Sequence, residues 1–288
     1  MSAYIFALLS NFSWGLSSQS YTLFSKKISP VWTNMFKGVC AGILFGLTVI
    51  FSGGFKAISL SAVGLFLLSG FIGLGFGDIF TFKAYSIIGP SRATMISSFR
   101  ILFVGVMGYV FFGQKVSPSR FISIIFLLVC VFIFALESYK KTAKWHFSAM
   151  FMALLGMLFD SVAVIASRAA FDISDINGIE ANAYRCVGAT CGFIILAQTM
   201  KIKFFAKINK IPKKALLLIT AGSIIGTYFG LIFYLEAIKR GNLATVSAIT
   251  TTMVVFTAFF ECLFEKKWPS KYLIAAFGCL VCAMYFLI

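Results

Sequence analysis

The chain has 288 residues, of which 60% are hydrophobic and 12% are charged, and its mean hydropathy is +0.97. A soluble domain usually has about 25% charged residues, so this composition excludes a water-soluble globular protein and predicts that lipid covers most of the surface. The formal net charge is +16. Because no polar stretch is long enough to form a soluble basic domain, we expect no nucleic acid as a partner.

Ten apolar runs follow one another along the chain, and a membrane-spanning helix needs roughly 20 such residues. They predict an all-α polytopic membrane protein with ten transmembrane helices. The first run has no basic segment ahead of it and no clear small-residue cleavage site, so we expect a retained helix rather than a signal peptide. The predicted helices are Ala3–Phe24, Val31–Phe51, Leu60–Phe82, Ser91–Phe112, Phe121–Leu136, Phe147–Ser167, Ile179–Met200, Ala215–Ala237, Leu243–Leu263 and Lys271–Ile288.

One segment of the chain occurs twice. Ala84–Phe121 and Ala237–Tyr272 both begin with alanine and a short glycine-containing turn, continue with Ala-Thr and a long apolar helix, and end near Pro-Ser followed by a basic residue. A segment repeated once per half indicates a duplicated unit, so we divide the chain into two five-helix repeats, residues 1–139 and 140–288. Because five is odd, the second repeat must enter the membrane from the opposite face. This predicts inverted repeats and a substrate site near the midplane of a single transport domain.

The two halves share further features. A basic residue comes early in the second helix of each half, Lys37 and Arg185, and the repeated helix is followed by Gln114-Lys115 in one half and Glu265-Lys266 in the other. This architecture resembles the EamA family of the drug/metabolite transporter (DMT) superfamily. The resemblance implies a transporter of small metabolites, often an exporter of amino acids or related compounds. Relatives of that family also carry nucleotide sugars and nucleotide-like cofactors.

Charged residues inside the predicted helices are the most informative local signal. A charge at the centre of a membrane helix costs about 2.5–3.5 kcal/mol on insertion scales, so it should face a cavity or a partner. Arg100 and Asp160 lie mid-span, and Asp78 lies towards the end of the third helix. We expect Arg100 either to line the substrate cavity or to form a buried ion pair between the halves, and Asp160 either to pair with Arg100 or to carry a proton. Lys37 and Arg185 either extend to lipid headgroups or hold an anionic part of the substrate.

Polar and aromatic residues add to the predicted cavity. Asn11 belongs to a polar stripe on one face of the first helix, with Trp14 nearby, and Thr251 belongs to a threonine cluster in the ninth helix. Such side chains can instead bond to backbone or to a neighbouring helix. Trp14 and Tyr228 could stack on a substrate, but packing and interfacial roles are as common. The candidate substrate-binding residues are Asn11, Trp14, Lys37, Asp78, Arg100, Asp160, Arg185, Tyr228 and Thr251.

The chain shows no pattern typical of an enzyme. It has one histidine, His146, scattered acids and no phosphate-binding loop, so we expect no catalytic activity and no cofactor, and the energy source must be a gradient or substrate exchange. All seven cysteines fall in apolar runs, where packing residues are expected rather than disulfides. Cys279 and Cys282 are spaced like half of a metal site, but no second pair accompanies them, so no metal is predicted.

The sequence thus predicts a secondary active transporter of small polar metabolites that works by alternating access as an exporter or an exchanger. The candidate residues include three cations and two acids. This excess of positive charge favours amino acids or related zwitterionic or anionic compounds over a cationic drug. An exchanger of nucleotide-like cofactors or nucleotide sugars is the alternative, and a lipid-handling membrane protein is a further one. The expected partners are a small-molecule substrate and the lipid bilayer, with a homodimer left open.

The basic residues bear on location and orientation. Lys201–Lys214 holds six lysines and no acid, which is typical of a cytoplasmic loop on anionic lipid headgroups. Sixteen Lys and Arg residues lie in the loops that follow odd-numbered helices, and six lie in the other loops. The positive-inside rule then puts both termini outside, whereas the resemblance implies both termini in the cytoplasm. Lysine-rich loops suit the cell inner membrane, where we expect a multi-pass protein.

Overall fold

The structure is a computed structural model of the chain, and it describes residues 2–113, 146–241 and 243–286 together with scattered positions between 122 and 140. Within these residues every regular element is a helix. The predicted fifth helix, Phe121–Leu136, and the boundary between the predicted halves lie largely outside the described residues.

The helices follow the predicted apolar runs closely. Most begin within one or two residues of the predicted start, and several extend further at their ends. The first four are α1 (Ala3–Lys27), α2 (Pro30–Phe51), α3 (Leu60–Ile88) and α4 (residues 90–112). The remaining ones are α5 (Phe147–Asp172), α6 (Gly178–Thr199), the short α7 (Phe204–Ile208), α8 (Lys213–Arg240), α9 (Leu243–Thr250), α10 (Met253–Glu265) and α11 (Lys271–Tyr285).

Five helices in the described part of the chain are long and apolar enough to cross a bilayer, namely α2, α3, α4, α5 and α8. With the other described helices they form a polytopic membrane protein, whose described part contains helices as its only regular elements. The count of ten spans and the inverted relation of the two halves stay predictions, because the described residues do not include the whole of the fifth predicted helix.

Local side chains set where helices begin. α2 begins after Ser29, whose hydroxyl oxygen accepts a hydrogen bond from the Trp32 amide at 3.0 Å, and Pro30 occupies the first helical position. α6 begins after Asn177, whose side-chain oxygen accepts from the Ile179 amide at 3.0 Å. Both arrangements satisfy amides that have no partner inside the helix.

Two π-helical turns interrupt long helices at repeat-related positions. One spans Gly70–Gly77 in α3 and the other spans Ser223–Phe229 in α8. They are separated by 153 residues, the same separation as between Ala84 and Ala237 in the repeated segment. A π turn leaves backbone carbonyls without their usual helical partners and is often found at functional sites. Here the Asn34 side chain donates to the carbonyl oxygens of Leu74 at 2.8 Å and Gly75 at 3.0 Å.

The repeated helix is irregular in both copies. In α4 a 3₁₀ turn, Ser97–Phe99, separates two α-helical parts, and in the second half α9 ends at Thr250 before α10 begins at Met253. Asn11 of α1 bridges this second break, since its side-chain nitrogen donates to the Ile249 carbonyl at 2.8 Å and to the Thr252 hydroxyl at 2.8 Å. These breaks lie beside the cavity described below.

The helices of the two halves pack against each other in matching pairs. α1 packs against α8 and α10, and α5 packs against α3 and α4. Glycines permit the closest approaches, most clearly between α3 and α6. A Cβ atom at Gly70 would overlap the carbonyl group of Arg185, and one at Gly188 would overlap that of Leu67. This close packing holds Arg185 directly behind the π turn of α3.

Candidate functional site

A cavity of about 110 Å³ lies between helices of both halves. α1, α2, α3 and α4 contribute to its walls from the first half, and α5, α8 and α10 contribute from the second. Its lining combines hydroxyl groups, aromatic rings and four charged side chains. A polar cavity among apolar helices is where a membrane protein can keep charges away from lipid.

The first two charges form an ion pair within the first half. Lys37 Nζ lies 2.5 Å from Asp78 Oδ2, with Lys37 nearly buried and Asp78 a quarter exposed. The ammonium group also lies 5.0 Å from the centre of the Phe82 ring and 5.9 Å from that of Tyr21, which is within the range of a cation–π contact. Lys37 therefore turns towards the cavity and does not extend to lipid headgroups.

The other two charges join the halves. Arg100 of α4 forms an ion pair with Asp160 of α5 through its Nη2 atom, and its Nη1 atom donates to the Tyr234 hydroxyl at 3.3 Å. Its Nε atom is buried without a hydrogen-bond partner. Arg100 thus forms the ion pair between the halves that the sequence offered as one alternative, and it also lines this cavity, while its contact with a substrate stays a prediction.

Arg185 lies outside the cavity lining although it is almost fully buried, with 1% of its surface exposed. Its Nε atom donates to the Ser69 hydroxyl at 3.0 Å and its Nη1 atom donates to the Asn182 side-chain oxygen at 3.1 Å. Among the residues that the structure describes, no carboxylate lies within 4.0 Å of it. Arg185 is therefore a buried cation behind the cavity wall without a close counter-ion.

Aromatic rings and hydroxyls complete the lining. Trp14 packs edge-on against Tyr234, with ring centres 4.8 Å apart. The Tyr21 hydroxyl bonds to the Gly222 carbonyl at 2.9 Å and to the Thr227 hydroxyl at 2.7 Å, which ties α1 to the π turn of α8. Further hydroxyls come from Ser17, Ser18, Thr81, Thr94 and Ser97.

Several lining positions are related by the repeat. Three pairs separated by 153 residues both face the cavity, namely Leu74 with Thr227, Asp78 with Leu231 and Thr81 with Tyr234. The cavity thus lies between equivalent parts of α3 and α8. The two members of each pair differ in size and chemistry, so the two walls present different groups to the cavity.

The structure brings five of the nine candidate residues together in the cavity lining: Trp14, Lys37, Asp78, Arg100 and Asp160. Thr251 lines a small pocket of about 30 Å³ that shares Trp14 and Arg100 with the cavity. The other three lie outside the lining. Asn11 bridges the helix break, Arg185 lies behind the wall, and Tyr228 bonds to the Thr48 hydroxyl at 2.7 Å.

The sequence analysis missed the tyrosines of the site. Tyr21, Tyr85 and Tyr234 all line the cavity. Tyr21 is three residues beyond Ser18 on the polar stripe of α1, so helical spacing alone could have identified it. Tyr85 and Tyr234 carry no such signal, because an aromatic residue in a membrane helix is equally typical of packing.

Comparison with known proteins identifies the family. The sequence profile of the EamA-like transporter family matches residues 1–136 and 147–288. The chain belongs to the EamA-like transporter family. Members of this family are transporters rather than enzymes. Among the residues that the structure describes, no three His, Cys, Asp or Glu side chains come together as they would around a metal ion.

Relatives in this family include two that align with most of the chain. A protein of Staphylococcus epidermidis named "Putative ribose uptake protein RbsU" is 26% identical over 250 residues, covering 85% of this chain and 78% of that protein. An "Uncharacterized transporter" of Archaeoglobus fulgidus is 22% identical over 285 residues, covering 99% of this chain and 97% of that protein. A solved crystal structure superposes with a TM-score of 0.69 at 15% identity, covering 99% of this chain and 96% of that chain, which shows a shared fold.

Proposed function

We propose that this EamA-like protein is a secondary active transporter that carries a small zwitterionic or anionic metabolite, such as an amino acid, by alternating access. It acts as an exporter or an exchanger in the cell inner membrane. The observation that supports this most directly is the polar cavity between the halves, in which Arg100 of the first half pairs with Asp160 of the second. Rocking of one half against the other changes the separation of these two residues.

A groove lies beside the cavity and reaches one membrane face. It encloses about 440 Å³ between α1, α8 and α10, shares Ser17 with the cavity, and reaches Lys26 and Glu265 near the ends of α1 and α10. We call this face the α1-end face. The groove supports a state in which substrate enters and leaves at the α1-end face.

Contacts between the halves lie at the opposite face, where α1 begins. The Lys56 amide of the first half donates to Glu180 Oε2 of the second at 2.9 Å. The rings of Phe55 and Tyr184 also meet there, with centres 4.8 Å apart. These contacts join the segment between α2 and α3 to the start of α6. Alternating access requires them to break when the protein opens at this face.

The size of the cavity favours an amino-acid-sized substrate over the nucleotide-like alternative. Drug-sized ligands occupy pockets of about 300–1,000 Å³, and this cavity encloses about 110 Å³. The charges balance as two ion pairs, so a substrate that carries both a carboxylate and an ammonium group finds a partner for each.

Exchange in proteoliposomes tests the proposal. Vesicles containing the protein and loaded with unlabelled amino acids or small organic acids are expected to accumulate the matching radiolabelled compound. Arg100→Gln and Asp160→Asn should each lower the exchange rate at least tenfold, since each removes one member of the pair that joins the halves. Exchange that is as fast in protein-free vesicles, or that survives both substitutions, would contradict the proposal.

Thiol labelling tests alternating access itself. Ser97 lines the cavity and is partly exposed, so Ser97→Cys in a cysteine-free variant should react with a membrane-impermeant reagent applied at the α1-end face. Addition of a transported substrate should also make this cysteine react with the reagent applied at the opposite face. A cysteine at Leu47, which is exposed on the outer surface of α2, is the control and should not respond to substrate.

A neutral pentose is a second candidate substrate. Hydroxyl groups and aromatic rings dominate the cavity lining, which is chemistry suited to a sugar, and a relative 26% identical to this chain is named as a ribose uptake protein. Radiolabelled D-ribose in the same vesicle assay distinguishes the two candidates. Uptake of ribose that amino acids and organic acids do not inhibit would favour the pentose.

A further inference from the structure

Arg185 is a buried charge that its neighbours compensate only in part. Its Nε and Nη1 atoms donate to the neutral groups of Ser69 and Asn182, whereas Nη2 has no hydrogen-bond partner among the described residues. A buried charge is unfavourable unless a group of opposite charge compensates it. The position therefore calls for a carboxylate that can approach Nη2.

Asp160 is the carboxylate within reach. A Cβ atom built on Gly73 would lie 3.8 Å from Arg185 Nη2 and 3.9 Å from Asp160 Oδ1, so these two atoms are at most about 8 Å apart. Gly73 has no side chain to place between them, and the nearest side chain at the same point is the Ala163 methyl group, at 2.7 Å. In the present state Asp160 pairs with Arg100 instead.

The carboxylate-binding edge of Arg100 is only half used. Its Nη2 atom pairs with Asp160, its Nη1 atom donates to Tyr234, and its Nε atom is buried without a partner. The Nε and Nη2 atoms of an arginine together form the edge that binds a carboxylate through two parallel hydrogen bonds. If Asp160 left, this edge would be free to bind a carboxylate in the cavity.

We propose that Asp160 moves from Arg100 to Arg185 when substrate binds, and that the substrate is a small carboxylate with a net negative charge, which takes the vacated edge of Arg100. This rests on the proposed transport function and names the charged group of its substrate. Every charge of the site is then paired: Lys37 with Asp78, Arg185 with Asp160, and Arg100 with the substrate. Because Asp160 and Arg185 both belong to the second half, substrate binding also releases the ion pair that joins the halves.

Matched pairs of probes test the charge of the ligand. D-ribonate and D-glycerate each carry one carboxylate, and D-ribose and glycerol are their neutral counterparts. Binding to the purified full-length protein is measured by thermal unfolding and calorimetry. At least one of the two carboxylates is expected to bind the wild-type protein, and its neutral counterpart is expected to bind at least tenfold more weakly.

A double-mutant cycle tests the exchange of partners. Arg185→Gln should weaken carboxylate binding about tenfold, because Asp160 then has no second partner, while Asp160→Asn should strengthen binding because Arg100 is already free. In the Asp160→Asn background, Arg185→Gln should change binding less than about twofold, since coupled residues give non-additive effects and independent ones do not. If the glutamine variant does not fold, Arg185→Lys, which keeps the charge, replaces it in the same cycle. We then expect a smaller loss of binding affinity.

Three results would overturn the inference. They are binding of neither carboxylate, equal binding of a carboxylate and its neutral counterpart, and an Arg185 substitution that weakens binding equally with and without the Asp160 carboxylate. The last result would show that Arg185 only supports the fold. Exchange of ribose or of an amino acid in vesicles would leave the proposed transport function intact in each case, so the two failures are distinguishable.

Discussion

At the scale of single residues, the two ion pairs of the cavity are connected differently. Lys37 and Asp78 belong to the same half, whereas Arg100 and Asp160 belong to different halves. In the alternating access proposed above, the first pair would stay together and the second pair would be available to the transport cycle. Sequence alone identified all four charges and offered the pair of Arg100 with Asp160 as one of two alternatives, but it gave no partner for Lys37.

Asp78→Asn should destabilise the protein by about 2 kcal/mol or more, because removing one member of a buried pair leaves the other without compensation. The estimate lies below the range for fully buried pairs, since Asp78 is a quarter exposed. The double variant Lys37→Met with Asp78→Leu should recover most of the stability, and leucine is also the residue at the repeat-related position, Leu231. Thermal unfolding of the wild-type protein and the two variants in detergent measures this. A double variant as unstable as Asp78→Asn would contradict it.

Tyr234→Phe should weaken substrate binding about fivefold, since loss of one hydrogen bond to a charged group costs about 1–3 kcal/mol and this one orients Arg100. The matched control is Tyr228→Phe, which removes a partly buried hydroxyl that bonds to Thr48 outside the cavity. The measurement is the substrate concentration that gives half-maximal exchange in vesicles. Equal effects of the two substitutions would show that the Tyr234 hydroxyl has no particular role at the site.

At the scale of elements, the irregular turns position the cavity. The π turns of α3 and α8 and the breaks in the repeated helix all lie beside it, and in both halves the regular helix pattern continues on either side. Apolar run length predicted the helices within a few residues at most ends. It did not predict these turns, because an extra residue in a helical turn is stabilised by what packs against it rather than by its own sequence.

Gly70→Ala should destabilise the protein by more than about 2 kcal/mol, because a new Cβ would overlap the backbone of Arg185 and force α3 and α6 apart. Gly64→Ala in the same helix is the matched control. A Cβ there meets no atom within 4 Å, so the substitution should be neutral or stabilising by up to about 1 kcal/mol through helix propensity. Thermal unfolding distinguishes them, and equal stability of the two variants would contradict the close packing described for α3 and α6.

At the scale of the whole molecule, the two faces differ. A groove between α1, α8 and α10 reaches the α1-end face, and at the other face the Lys56 amide of the first half donates to Glu180 of the second. A transporter has to reverse this difference during its cycle. The balance between the two states then depends on a few bonds at each face, and each can be altered singly.

Glu180→Ala should shift the protein towards the state open at the face where α1 begins, because the charge-assisted hydrogen bond from the Lys56 amide, which joins the halves there, is lost. We expect Ser97→Cys to be labelled from that face about tenfold faster in this variant, which corresponds to a population shift of about 1.4 kcal/mol. Lys267→Gln removes an exposed ion pair with Glu265 and is the control. Unchanged labelling in Glu180→Ala would mean that other contacts close this face.

The sequence by itself determined that the bilayer is the solvent, roughly where the helices lie, which family the chain belongs to and which charges cannot face lipid. These properties depend on composition, on the length of apolar runs and on a repeated segment, all of which are local in the chain. Only the tertiary structure decided how the candidate residues are used. It paired Arg100 with Asp160, placed Arg185 behind the wall, and turned Tyr228 away from the cavity. Those outcomes depend on the direction in which each helix face points and on contacts between residues far apart in sequence, which spacing along the chain does not specify.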